Sequence, residues 1–241
     1  MIERWLRSRR SAEVACLAAF LLGVGLAPAT AASAGLAVVI GNQYDGFLPG
    51  SPRDANAIAD KLEAAGFATV RLIDATGGAA TAGMVQIRDA ATSAGPLRIV
   101  YASGFGMCLN DDLMLFAEDM DPDQFKSGQL GDAAIPLSVV AAAAAEGGSE
   151  TLLVFDTTPN QCTGDAVRAV KLPGKSALMV TTGIGGDVLE EIDETGGGAF
   201  ATAFGEAFAP DLALKEIVAR IVERIPELTD GQQQPMLVGE L

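Results

Sequence analysis

Short apolar runs alternate along the chain with stretches of helical periodicity. Mostly apolar runs at 36–40, 69–73, 97–102, 152–155 and 177–181 are bounded by Gly, Pro or polar clusters, which predicts buried β-strands. Between them, Ala55, Ile58, Ala59 and Leu62 recur at helical spacing. Ser51 is placed to cap that helix, Pro52 suits its first position, Asp54 completes a capping box and Gly66 ends it. Residues 81–94 predict a weaker helix interrupted by Gly83, and the Ala-rich stretch 137–146 predicts another. Phe200, Phe204 and Phe208 fall at i, i+4 and i+8, the inner stripe of a further helix, and 212–228 is amphipathic. Residues 113–116 and 236–238 predict short accessory strands. Strand and helix in alternation imply an α/β domain with a mostly parallel central sheet and helices on both faces. No internal repeat or second domain is evident.

The first 34 residues depart from this pattern. Arg4, Arg7, Arg9 and Arg10 precede an apolar stretch at 14–27, and small residues follow, with Ala29-Thr30-Ala31 and Ala32-Ser33-Ala34 as A-x-A sites. This predicts a secretory signal peptide over 1–34, removed after Ala31 or Ala34, and a periplasmic or secreted domain over 35–241. Retention as an N-terminal anchor is the alternative, although the apolar stretch falls short of the ~20 residues that a span needs. Cys16 precedes most of the apolar stretch and does not read as a lipid-anchor cysteine.

Removal of that segment sharpens the charge. Residues 1–34 hold four Arg and two Glu, so 12 basic and 29 acidic residues remain, a net charge of −17. Such a surface disfavours nucleic acid and anionic membranes and attracts cationic partners. Two cysteines would remain, Cys108 and Cys162, and in an oxidising compartment a pair is more often bonded than free. The chain has no histidine, which excludes Ser-His-Asp triads, Cys-His dyads and His-based zinc sites.

In open parallel sheets, sites form at the carboxyl ends of strands. Here those ends are Ser103-Gly104-Phe105-Gly106 and Asp156-Thr157-Thr158. The segments AVVIGNQY, RDANAIADKLEAAGF, IVYASGFGMCLNDDLMLFAEDMD, LLVFDTTPN and ELTDGQQQP, in this order and spacing, resemble the caspase-like cysteine peptidases (peptidase family C14, including metacaspases). The resemblance covers 36–241 and implies a caspase-like three-layer sandwich. It also implies that Phe105 stands at the family's histidine position and Thr158 at its cysteine position, with Pro159 where an arginine often follows. A mechanism that needs a thiolate and an imidazole has neither at these positions. Asp54 and Asp156 resemble the carboxylates that help form the metacaspase pocket for a basic side chain. With Ser103, Gly104 and Gly106 they would line a vestigial pocket. The plainer alternative is that Asp54 caps a helix and Asp156 orders a turn.

The same resemblance puts the strands bearing the two former dyad positions side by side. It thereby implies a Cys108–Cys162 disulfide, against the alternative of two separate buried thiols. The functional expectation is a pseudo-peptidase that binds a peptide or protein, with basic side chains favoured, and that needs no cofactor or metal. Its rivals are a hydrolase with a non-standard nucleophile at Thr158 or Cys162, and a purely structural module. Asp119, Asp121 and Asp123 hint at a calcium loop, but Gln124 and Leu130 stand where the required Gly and Glu belong. Gly183-Ile184-Gly185-Gly186 lacks the spacing and lysine of a phosphate loop and, like Gly196-Gly197-Gly198, reads as a plain loop.

Overall fold

A computed structural model describes residues 33–121, 130–148, 150–160, 162–181 and 197–241. The expected signal segment up to residue 32, the stretch 122–129 and the glycine run 183–186 lie outside the described residues. In chain order the elements are β1 (Gly35–Gly41), α1 (Gly50–Ala64), β2 (Ala68–Ile73), α2 (Gly77–Ala91), β3 (Leu97–Leu109), β4 (Asp112–Phe116), β5 (Ala134–Pro136), α3 (Leu137–Ala145), β6 (Glu150–Asn160), α4 (Gly164–Ala169), β7 (Lys175–Val180), α5 (Ala199–Ala207), α6 (Leu214–Leu228) and β8 (Met236–Gly239).

The strands form one sheet in the order β2-β1-β3-β6-β7-β8, parallel from β2 to β7, with β8 antiparallel at one edge. A small antiparallel extension, β4 and β5, is built onto the far end of β3. Alternation along β1 explains the three layers. Leu36, Val38 and Ile40 face a core shared with α2 and α3, whereas Ala37 and Val39 face one shared with α1, α5 and α6. The phenylalanine stripe lies in the second core, where Phe200 stacks on Tyr101 with ring centroids 5.3 Å apart and Phe204 stacks on Phe208 at 5.1 Å. The expected α/β architecture is therefore the observed one.

Several boundaries differ for identifiable reasons. β3 and β6 each run well past the apolar runs that announced them, because they pair with each other over residues that read as loop. α2 begins at Gly77, since Thr76 caps it by accepting from Ala79 N–H. α1 begins at Gly50 with no side-chain cap, so the capping box expected of Ser51 and Asp54 is not made. Both side chains are drawn instead into tertiary contacts described below.

One buried cation ties the helices of the first layer together. Arg98 in β3 has no exposed surface. Its guanidinium donates to the carbonyls of Ala91, at the end of α2, and of Ala144 and Glu146, at the end of α3, and also to Gly95 and Leu97. Helix carboxyl ends carry unpaired carbonyls and partial negative charge, so one cation serves both. Burial lowers the Arg98 pKa. Arg98→Met should leave those carbonyls without donors and destabilise the domain by about 3 kcal/mol in urea titration, with Arg98→Lys recovering part of the loss.

Candidate functional site

The pairing of β3 with β6 sets the register of every candidate residue. Ser103 lies opposite Asp156, Gly104 opposite Thr157, Phe105 opposite Thr158 and Gly106 opposite Pro159. The two positions that the resemblance assigned to a dyad are thus direct neighbours across one ladder. The stretch 103–106 is strand here, held on one side by β6 and, from Gly106 onward, by β4 on the other.

Phe105 belongs to a third, small hydrophobic cluster at this end of the sheet. Met107, Phe116 and Leu130 form its buried part, and Tyr44, Phe105, Leu109, Met114 and Met120 pack against it. The Tyr44 ring lies 4.7 Å from that of Phe105, tilted by 33°. Its hydroxyl accepts from Phe105 N–H at 3.0 Å and donates to the Phe116 carbonyl at 2.7 Å. Burial, its largest cause, drives the phenol pKa upward, so Tyr44 stays a neutral donor. Gly104 makes room for this arrangement. A Cβ there would lie 2.6 Å from the Tyr44 hydroxyl, and its φ of 150° disfavours other residues.

The acidic residues form a second group beside the first. Asp156 is buried and accepts from Tyr101 Oη at 2.6 Å and from Thr181 Oγ1. Asp54, also buried, accepts from Gly198 N–H at 3.0 Å, at the start of α5, and from Arg53 Nε at 3.4 Å. Ser51 meets Ser103, hydroxyl to hydroxyl, at 3.0 Å. Asp54 therefore joins α1 to α5, which corrects the expectation that it caps its own helix. Burial raises the pKa of both carboxyls. For Asp54 the charge of Asp156 adds to the effect, and the value is pushed up to about 6.

Cys108 and Cys162 are joined by a disulfide, with Cα atoms 4.9 Å apart, inside the range such bonds require. The bond closes the ladder just beyond Phe105 and Thr158 and encloses a sequence separation of 54 residues, for which chain entropy gives about 4 kcal/mol. While it stands, Cys162 has no thiolate to offer as a nucleophile. Asp119, in the acidic stretch that fails the calcium-loop pattern, accepts from Gly77 N–H at the start of α2. Among the described residues no group of three or more acidic or cysteine side chains is placed to hold a metal ion. Tyr44, Tyr101, Thr181 and Gly198 were not foreseen as site residues. Tyr44 and Tyr101 stand within family-like segments, but Thr181 and Gly198 lie outside them.

The caspase-domain model of peptidase family C14 matches residues 34–241, nearly all of the chain. The chain belongs to that family. No curated protein matches it.

The raised Asp54 pKa has a consequence for stability. Between the ordinary aspartate range near 4 and about 6, the folded chain holds a proton that the unfolded chain releases. The stability associated with that proton is complete below pH 4 and is lost as pH rises through 6. Asp54→Asn should flatten this dependence and stabilise the domain at pH 7 by on the order of 2 kcal/mol. Urea titrations of both forms from pH 4 to pH 7 check this. A stability difference between the two forms that does not grow as pH rises from 4 to 7 would contradict it.

Proposed function

We propose that this is a pseudo-peptidase of the caspase family, a binding protein whose cleft receives basic side chains of a peptide or protein without cutting the chain. The observation that carries this reading is the use of Phe105. The residue at the family's histidine position is packed against Tyr44 in a hydrophobic cluster, and the Tyr44 hydroxyl occupies its backbone N–H. Thr158, opposite it in the ladder, has no imidazole to activate it, because the chain has no histidine. The acidic half of the site supports retained binding. The buried Asp156 carboxyl bears on that of Asp54, and Arg53 is a cation acting on Asp54. A Lys or Arg side chain brought against Asp54 and Asp156 would favour their ionised forms and draw their pKa values down. Export as a soluble periplasmic protein, with residues 1–34 removed, is part of the same proposal and suits both the disulfide and the acidic surface.

The test uses exported protein, whose intact mass should lack the segment ending at Ala31 or Ala34. Short acetylated peptide amides ending in Arg or Lys should raise its melting temperature, whereas the same peptide ending in Ala should not. Calorimetric titration near pH 6 in buffers of different ionisation enthalpy should show proton release on binding, and Asp54→Asn should reduce it. Equal response to all three peptides, or binding without proton release, would count against the reading.

A further inference from the structure

Among the described residues, the most exposed large apolar side chain is that of Phe47, at 78%. It is carried by the loop 42–49, between β1 and α1, at the same end of the sheet as the candidate site. An exposed aromatic on a mobile loop would mean little, but this loop is held at nearly every residue. Asn42 donates to the Phe116 carbonyl at 2.8 Å and accepts from Ala75 N–H at 3.0 Å. The Glu118 carboxylate accepts from three successive backbone N–H groups, those of Gln43, Tyr44 and Asp45, at 2.9–3.1 Å. The Gln43 amide donates to Asp74 at 2.8 Å. Tyr44 and Asp45 both take φ of 54°, a conformation that non-glycine residues adopt at a cost, and Phe47 N–H closes the turn on the Tyr44 carbonyl at 3.2 Å. The chain thus commits an acidic side chain and two strained residues to a loop whose tip is an unburied phenylalanine.

We propose that Phe47 is a preorganised anchor for docking a protein partner, and that the partner presents an apolar pocket rimmed by lysine or arginine. Rigid aromatic side chains are the usual anchors of such contacts, because little conformational freedom is lost on binding. Charge selects the kind of partner. Asp45, Asp119 and Asp121 are exposed around this end of the sheet, Asp74 and Glu118 are half-buried, and the overall net charge is −15. An acidic rim attracts a cationic protein, and it repels both an anionic lipid surface and a second copy of the same chain. The proposal rests on the reading of the protein as a binder of basic segments and adds to it a second contact outside the acidic pocket.

The probe is a short fluorescein-labelled peptide alternating Lys and Leu, with Lys–Ser and Glu–Leu peptides as controls, read by fluorescence anisotropy on the full mature protein. Wild type should bind the Lys–Leu peptide, and Phe47→Ser should weaken that binding by about tenfold without changing the melting temperature. Lys–Ser should bind weakly and equally to both forms, and Glu–Leu should not bind. If Phe47→Ser binds Lys–Leu as tightly as wild type while Asp54→Asn binds it less well, the anchor is refuted and the binding reading stands. If wild type binds neither basic peptide, that reading fails and the anchor with it. Phe47-dependent binding to phosphatidylcholine vesicles, or Phe47-dependent self-association in sedimentation velocity, would also overturn the proposal.

Discussion

The ladder between β3 and β6 is the constraint from which the rest of the site follows. It runs without interruption from Leu97 opposite Glu150 to Met107 opposite Asn160. Its first half builds the centre of the sheet, with both faces buried under helices. Its second half continues past the end of β1, which stops at Gly41 opposite Ser103. There the two strands carry the site residues as register partners, and the disulfide closes the far end. A one-residue slip would turn every side chain on β6 to the opposite face, separating Asp156 from Tyr101 and moving Thr158 away from Phe105.

The ladder also brings two groups of side chains to one end of the sheet. Position 105 lies at the boundary between the sheet and the extension formed by β4 and β5. A phenylalanine there extends the apolar packing of Met107 and Phe116 and gives Tyr44 a ring to lie against. The neighbouring acidic group draws on the same two strands and on further elements: Asp156 from β6, Tyr101 from β3, Thr181 just after β7, and Asp54 from α1 reaching to Gly198 before α5. The two halves of the site therefore share the β3–β6 ladder but make separate side-chain contacts. Packing at Phe105 changes the first half while the second keeps its own hydrogen bonds.

Much of the fold was legible in the sequence because buried strands and helix faces leave periodic marks. The runs at 36–40 and 97–102 lie in β1 and β3, 177–181 overlaps β7 up to Val180, and the spacing of Ala55, Ile58, Ala59 and Leu62 gave the inner face of α1. What was not legible depends on partners distant in sequence. Ser103-Gly104-Phe105-Gly106 and 156–160 have the Gly, Pro and polar content of loops, yet each becomes strand because the other is beside it. Ser51 and Asp54 have the pattern of a helix cap, yet Ser103 and Gly198 claim them. The short β5 and α4 left no periodic trace. At the site, Phe105 and Thr158 are register partners, and the cysteines that follow them, Cys108 and Cys162, are bonded. The roles of Tyr44, Tyr101 and Thr181 depend on contacts in space.

The proposal that the candidate site binds and does not cut is tested most directly by a peptidase assay on the purified domain, with substrates bearing Arg, Lys or Asp at the scissile position and Thr158→Ala as the control. The account predicts no turnover by the wild-type protein above that of the variant at any pH from 5 to 8, roughly the span over which a general base near neutrality would act. Turnover that Thr158→Ala abolishes would contradict it.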